Sequence, residues 1–197
     1  MIRVPAKAFE DGILDPVKHA RLILELDRFA DRAGIDPKWV WTSAVKELNQ
    51  NLISYLRKCL VLAREKNQYG IVFIGKDDMT NVMSSMAGAL IRIFVDGRLM
   101  SAQTIADLVL EGEQPDATVL FCPNFFAAEE FGRFDNRKIS ALGDMLTYRV
   151  SRGLQTVIHV DDMAKFKQKF GGRVTDLIET LMVPMTTLGG EAIVTGN

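Results

Sequence analysis

One short segment constrains the fold more than any other part of the chain. Residues 70–75 (GIVFIG) place four apolar, mostly β-branched or aromatic residues between two glycines. An uninterrupted apolar run of this length is typical of a strand buried on both faces of a parallel sheet. A polar stretch, residues 76–81, follows it. Apolar residues then recur at the spacing of one helix face: Met83, Met86, Leu90 and Phe94. The segment therefore predicts a buried strand, a polar loop and an amphipathic helix.

The same alternation continues to the end of the chain. Further strands are predicted at residues 98–102, 117–122, 156–160 and about 192–195. Helices are predicted between them, at residues 104–110, 139–150, 162–169 and 173–181, with Thr104 as a helix cap and Gly171-Gly172 separating the last two. Alternation of this kind predicts an α/β fold, with a parallel sheet covered by helices on both faces. Ligands of such sheets bind at the carboxyl ends of the strands.

The first third of the chain lacks this alternation and is predicted to be helical. Asp15-Pro16 and Asp36-Pro37 both have the pattern of a helix start, and helical spacing continues to about Glu65 after an irregular arm over residues 1–15. We therefore predict a helical N-terminal extension over residues 1–49 and an α/β domain over residues 50–197.

Composition limits the classes of function. The chain has 24 basic and 25 acidic residues and a net charge of -1, so it has no overall attraction to nucleic acid or to a membrane surface. Its two cysteines, Cys59 and Cys122, form no CxxC pair, which favours buried free thiols in a reducing, cytoplasmic setting. The N-terminus lacks the apolar region of a signal peptide, and no run of about 18 apolar residues occurs. His19 and His159 lie far apart, and we expect no metal site and no cofactor.

The residues after the first strand occupy the place of a phosphate-binding loop. Such a loop has the form GxxxxGK[ST], in which the Lys neutralises phosphate and the Ser or Thr holds Mg²⁺. From Gly75 onward, Asn81 stands in place of the Lys and Val82 in place of the Ser or Thr. Asp77 and Asp78 would each face a polyphosphate at a cost on the order of 4 kcal/mol per contact. The simpler interpretation is that Asp78 or Thr80 caps the following helix.

The other two strand ends also lack catalytic side chains. An ATPase places an acid for Mg²⁺ and a second acid for the attacking water after such a strand, but residues 117–122 are followed by Pro123-Asn124. Glu129 and Glu130 are interpreted as a solvated turn. After residues 156–160, Asp161 or Asp162 is predicted to cap a helix, and His159 is interpreted as a core or supporting group.

The order of these elements resembles the AAA+ domain of the DnaC/DnaI/IstB type, found in bacterial replicative helicase loaders and transposase helper ATPases. The similarity lies in four stretches, residues 54–76, 97–110, 115–126 and 142–178, and covers about residues 50–197. The resemblance implies a P-loop NTPase fold and an ATPase activity. It also implies partners: a helicase bound through an N-terminal extension, and single-stranded DNA.

The chain departs from the family at the residues that carry the chemistry. The resemblance places the Walker A Lys and Ser/Thr at Asn81 and Val82, and the Walker B acids at Pro123 and Asn124. The family's sensor Asn falls at Val160 or Asp161. Arg173 matches a Gly-x-Arg segment in which an arginine supports hydrolysis by a neighbouring subunit. Without a nucleotide, Arg173 has the alternatives of pairing with Asp176 or capping a carbonyl.

The leading prediction is a non-catalytic, loader-like pseudo-ATPase that binds a replicative helicase or another AAA+ subunit. Trp39 and Trp41, beside Lys38, are candidates for a protein interface, or alternatively pack against the domain. Candidate contacts to nucleic acid or a partner are the basic residues Arg133, Arg137, Lys138, Arg149, Arg152 and Arg173, with Lys165, Lys167 and Lys169 near the last of them. Neighbouring aromatics either stack on bases or line a core: Phe125, Phe126, Phe131 and Phe134. The alternatives are an atypical ATPase and a single-stranded nucleic-acid-binding protein, and a homo-oligomer is left open.

Overall fold

The computed structural model describes residues 3–129, 132, 134–188 and 191–194. In this part of the chain, the N-terminal region is helical: α1 (Ala6–Glu10), α2 (Ala20–Leu24), α3 (Leu26–Ala33), α4 (Lys38–Trp41), α5 (Ala44–Glu47) and α6 (Gln50–Lys66). Strands and helices then alternate: β1 (Gly70–Ile74), α7 (Thr80–Arg92), β2 (Gly97–Leu99), α8 (Ala102–Leu110), β3 (Val119–Phe126), α9 (Asn136–Ser151), β4 (Gln155–Val160), α10 (Met163–Leu181), β5 (Val183–Leu188) and β6 (Glu191–Val194). None of the helices described is both long and apolar enough to span a membrane.

The sheet has the strand order β2-β3-β4-β1-β5-β6. Its first five strands are parallel, and β6 pairs with β5 in the antiparallel sense. This confirms the predicted parallel sheet and places β1 between β4 and β5. Strand β5 was not predicted from the sequence. The strand predicted at about residues 192–195 corresponds to β6, and Thr195 lies outside the described residues.

Alternate residues along each strand enter two separate hydrophobic clusters, one on each face of the sheet. Ile71 and Phe73 of β1 pack with the N-terminal helices and α7, whereas Val72 packs with α8, α9 and α10. The period of two along a strand explains this division. Helices therefore cover both faces, as predicted.

The N-terminal helices contribute to the same hydrophobic cluster as β1 and α7. The backbone of α4 crosses α7 at Gly88, where an added Cβ would overlap with the carbonyl of Trp39. The Arg92 Nη1 atom donates to the carbonyls of Val40 and Thr42, each at 2.9 Å. These contacts fix the segment after α4 on the C-terminal end of α7.

Two boundaries differ from the prediction for reasons of local geometry. Helix α8 begins at Ala102, two residues before Thr104, because the Ser101 hydroxyl accepts from the Thr104 N–H at 3.1 Å. The cap is therefore Ser101 and not Thr104 as predicted, and the strand predicted at residues 98–102 ends at Leu99. Strand β3 does not end at Pro123 but continues to Phe126. Asn124 adopts the left-handed conformation with a φ of 52°, and the register shifts between Cys122 and Phe126. The bulge accommodates a proline that has no N–H to pair.

The separation of the last two predicted helices is confirmed as a break inside α10. Gly171 has φ 76° and ψ 173°, which are not helical angles, while the residues on both sides remain helical. Glycine tolerates this conformation because it has no Cβ. Both cysteines are buried and free, as the sequence predicts.

Candidate functional site

The carboxyl ends of β1, β3 and β4 meet at one buried imidazole. His159, near the end of β4, is only 2% exposed. Its Nε2 atom lies 2.7 Å from the carbonyl oxygen of Gly75, which follows β1. Its Nδ1 atom lies 3.0 Å from Oδ1 of Asn124 in the β3 bulge. The ends of β1, β3 and β4 are therefore joined to one another by the hydrogen bonds of His159.

The hydrogen bonds of His159 use both of its ring nitrogens within the protein. The Gly75 carbonyl can only accept, so Nε2 must carry a proton and donate it. If the ring is neutral, Nδ1 accepts a hydrogen bond from the Asn124 amide nitrogen, which requires the amide N and O positions to be exchanged. If the ring is charged, Nδ1 donates to the amide oxygen. Neither arrangement leaves a ring nitrogen for a metal ion or a reacting group. The interpretation of His159 as a supporting core group is confirmed.

The loop between β1 and α7 is shaped by its own side chains. Asp78 Oδ1 accepts from the N–H of Thr80, the first residue of α7, at 2.9 Å. The hydrogen bonds from Thr80 lower the pKa of the Asp78 carboxyl below its ordinary value. Met79 is fully buried in the core, and this packing fixes the loop on the body of the domain. The N-cap of α7 is Met79, which makes no side-chain cap hydrogen bond, so the prediction that Asp78 or Thr80 caps the helix is wrong and Asp78 instead holds the turn that enters it.

The backbone of this loop lacks the left-handed residue of an αR–αL anion nest. Such a nest needs successive N–H groups turned inward by an αR–αL pair or a turn. After Gly75, whose φ is 145°, residues 76–79 all have negative φ values. Asn81 is exposed on α7, and Val82 is half-buried against the hydrophobic cluster. The position expected for the phosphate-binding Lys thus presents an amide to solvent.

The two aspartates after β4 have different structural roles. Asp162 is the cap of α10, since its Oδ1 accepts from the Lys165 N–H at 3.0 Å. Asp161 instead ties the end of β3 to β4. Its Oδ2 accepts from the Ala128 N–H at 2.8 Å, and its own N–H donates to the Phe126 carbonyl at 3.0 Å. The position expected for the sensor Asn therefore holds the turn that follows β3.

The prediction that Arg149 contacts nucleic acid or a partner is wrong, because its side chain is fully buried. Its Nη2 atom donates to the carbonyls of Ala117 and Gln155 at 2.9 and 2.6 Å, and its Nε atom donates to Thr156 Oγ1 at 2.9 Å. Its Nη1 atom donates to the Pro115 carbonyl. Burial lowers the pKa of the guanidinium to about 10. Arg149 satisfies backbone acceptors at the amino ends of β3 and β4.

The sequence contained a signal for this burial. Leu142, Met145 and Leu146 form the apolar face of α9, and Arg149 follows at the next position of the same stripe. The network extends to Gln155, which accepts from the Tyr55 hydroxyl at 3.0 Å. A charged residue on an apolar stripe indicates a buried, hydrogen-bonded role more than a surface contact.

The remaining predicted contacts differ in exposure. Arg137, Arg152 and Arg173 are exposed, whereas Lys138 is half-buried and pairs with Asp107 at 3.0 Å. Glu129 is exposed in a turn, as predicted. Arg133 lies outside the described residues, as do Glu130 and Phe131.

The aromatic residues near this region are part of the core. Phe125 and Phe126 are 0% and 1% exposed and pack on Phe166 and Phe170, so stacking of these two on nucleic-acid bases is excluded. Phe134 is half-buried against the same cluster. Trp39 and Trp41 are half-buried against the N-terminal core, and Lys38 Nζ lies 5.3 Å from the centre of the Trp39 ring. The alternative that both tryptophans pack against the domain is confirmed.

Comparison with known proteins identifies the fold. No protein-family model matches the chain, and no curated protein matches its sequence. Among solved structures, the DnaC helicase loader is similar with a TM-score of 0.56 and 12% identity, over 77% of this chain and 99% of that one. A putative primosome component from Streptococcus pyogenes serotype M3 gives a TM-score of 0.55 and 13% identity, over 85% of this chain and 97% of the other.

Replication initiators have the same fold over part of their length. DnaA bound to AMPPCP and single-stranded DNA gives a TM-score of 0.53 and 13% identity, over 76% of this chain but only 50% of that one. This chain therefore spans about half the length of that DnaA structure. The described structure has an α/β fold of the P-loop, AAA+ type. This fold is similar to that of the DnaC and DnaI structures, as the sequence resemblance implied.

Proposed function

We propose that this chain is a loader-like AAA+ domain that acts by binding another protein and does not hydrolyse a nucleotide. Its partner would be a replicative helicase or another AAA+ subunit, in DNA replication or mobile-element biology. The observation that carries the proposal is the closed contact among the three strand ends, in which His159 joins Gly75 to Asn124. Amide and imidazole groups occupy the place where nucleotide chemistry needs a lysine and carboxylates.

The chemistry of phosphoryl transfer supports this proposal. Hydrolysis needs a cation on the phosphates, a hydroxyl or carboxylate for Mg²⁺ and a group that orients water. Asn81, Val82 and Pro123 provide none of these groups, and Asn124 is engaged with His159. Asp78, already held by Thr80, adds negative charge to the loop. Binding a polyphosphate against the ends of β3 and β4 would require breaking the contact of Asn124 with His159, and Asn81 supplies no cation to compensate.

The proteins with a similar fold support a role in DNA replication, whereas the absence of nucleotide hydrolysis is inferred from the residues of the site. Those neighbours are described as a helicase loader, a primosome component and a replication initiator, all proteins of DNA replication. A loader-like domain without hydrolysis would act through its surfaces, as a subunit or mimic within such an assembly.

Capture with the host's replicative helicase tests the partner. Purified chain and helicase should elute together by size-exclusion chromatography, with no requirement for ATP. Affinity purification from the native host, followed by mass spectrometry, should recover a replication protein. If neither the helicase nor any other replication protein is recovered, the loader-like function is wrong.

Single-stranded DNA is a second ligand to examine, since the DnaA neighbour was solved with it. For this chain the exposed cations Arg137 and Arg152 lie on α9 and just after it. Phosphate contacts through such residues would weaken steeply with salt. A mobility-shift assay with a short single strand at low and high salt measures that contribution separately from protein binding.

A further inference from the structure

We propose that a groove between α5, α6 and α7, here called the α6 groove, docks an amphipathic helix of a partner protein that carries carboxylates beside its apolar face. This proposal names the kind of partner segment and rests on the proposed function, in which the chain works by binding a protein.

The α6 groove is an apolar cavity of about 170 Å³. Its floor is formed by buried residues of two helices, Leu56 of α6 and Leu90 of α7, which are 9% and 0% exposed. Its rim is apolar but exposed: Val45 is 68% and Ile93 is 60% exposed. Large apolar side chains grouped around a cleft, unlike single scattered ones, mark an interaction surface.

One edge of the groove continues along α6 as an alternating stripe. Ile53, Arg57, Leu60 and Arg64 are spaced four, three and four residues apart, so they lie on one face of the helix. Leu60 is 53% exposed, and both arginines are exposed. The stripe is about 16 Å long, which equals three helical turns. A helix laid alongside would meet apolar and basic groups alternately at i, i+3/i+4 and i+7.

The charge along α6 selects the partner's sign, and its two cations on the stripe are Arg57 and Arg64. The exposed charged residues of the whole helix are four cations and one anion: Arg57, Lys58, Arg64, Lys66 and Glu65. Among the residues that the structure describes, none of these four cations forms a salt bridge with a carboxylate. The chain as a whole has a net charge of -1, so this positive bias is local. Carboxylates on the docking helix would complement it.

A helix fits this surface better than an extended segment. An extended peptide gains its affinity from the free edge of a sheet, whereas the walls of the α6 groove are helices whose backbone groups are paired within each helix. The groove therefore offers side-chain contacts only, the mode by which an amphipathic helix binds.

A pair of designed peptides tests the proposal. Both have 18 residues and leucines at i, i+3/i+4 and i+7, with flanking residues that are all Glu in one and all Lys in the other. Fluorescence anisotropy should show that the full chain binds the Glu peptide about tenfold more tightly, from two partly exposed charge pairs. The variant R57E/R64E should reverse this preference, and I93D should weaken both peptides.

Lys58→Glu is the control matched to the single variant Arg57→Glu, because both make the same change of charge on the same helix but Lys58 faces away from the stripe. It should keep the preference for the Glu peptide, and R57Q should reduce that preference without reversing it. Equal binding of the two peptides, binding of neither, or an effect of K58E as large as that of R57E would each overturn the proposal. Concentration-dependent self-association that R57E abolishes would also overturn it, because a second copy would then cover the groove. These readings concern the groove alone, whereas helicase capture and ATP titration test the proposed function.

Discussion

Replacing Arg149 by Met removes the side chain that holds the amino ends of β3 and β4 together. The guanidinium donates to four acceptors, which are the carbonyls of Pro115, Ala117 and Gln155 and the hydroxyl of Thr156. Met has a similar length and no donor, so all four acceptors lose this partner inside the protein. The variant therefore isolates the hydrogen bonds from the packing.

Two opposing free-energy terms set the size of the effect. Hydrogen bonds from a charged donor contribute about 1.5–3 kcal/mol each, so four of them contribute at least about 6 kcal/mol. Burying the charge has a cost, which is visible in the lowering of its pKa from 12.5 to about 10. At about 1.4 kcal/mol per pKa unit, that cost is roughly 3 kcal/mol. The difference between the two terms is at least about 3 kcal/mol, so we expect Arg149→Met to lower the free energy of unfolding by about 3–5 kcal/mol.

Urea denaturation followed by far-UV circular dichroism measures this loss. The midpoint should fall while the dependence on urea stays the same, since the same surface is exposed on unfolding. Arg152→Met is the control, because Arg152 is exposed three residues away and its loss should change stability by less than about 0.5 kcal/mol. If Arg149→Met also remains within about 0.5 kcal/mol of the wild type, the buried network does not stabilise the fold and the reasoning is refuted.

Two further predictions concern α7. Gly88→Ala should destabilise the fold by about 1–3 kcal/mol despite its gain in helix propensity, because the new Cβ overlaps with the Trp39 carbonyl. Gly172→Ala, which has no neighbour within 4 Å, should be neutral or stabilising by up to about 1 kcal/mol, and chemical denaturation compares the two. Asp78→Ala should remove about 1 kcal/mol at neutral pH, because the N–H of Thr80 loses its hydrogen-bond acceptor. The lowered pKa of Asp78 means that this stabilisation is present above its ordinary value of 3.8 and is lost as pH falls through the lowered pKa. The stability difference between wild type and D78A should therefore shrink in acid, and an unchanged difference would contradict this role of Asp78.

The sequence predicted the parts of the fold that depend on periodicity. Strand β1 and the first half of β3 have continuous apolar runs, and the break at Gly171 follows from glycine chemistry. Strand β5 pairs with β1, but its sequence, VPMTTL, was not predicted as a strand because Pro184 and the two threonines interrupt the apolar run. The extension of β3 past Pro123 was missed because it depends on a left-handed Asn124, which only the completed sheet stabilises.

The candidate site was predicted less fully than the fold. Its location at three strand ends follows from general rules of parallel sheets, and the contact of Asp78 with Thr80 follows from local turn chemistry. The link from His159 to Gly75 and Asn124 spans 84 and 35 residues and has no local pattern. The burial of Arg149 had a local signal on α9, but its acceptors lie in β4 and in the segment before β3. Long-range polar contacts are therefore where the sequence was least informative.

Titration of the purified chain with the Mg²⁺ complexes of ATP and AMPPCP tests the central claim most directly. Isothermal calorimetry should show no saturable heat up to about 1 mM nucleotide, which corresponds to a binding free energy weaker than about -4 kcal/mol. The closed contact among Gly75, Asn124 and His159 and the absence of a lysine at Asn81 both predict this result. Stoichiometric binding with a Kd near 1 μM, a gain of about 4 kcal/mol over that limit, would contradict the account and make the chain a nucleotide-binding domain.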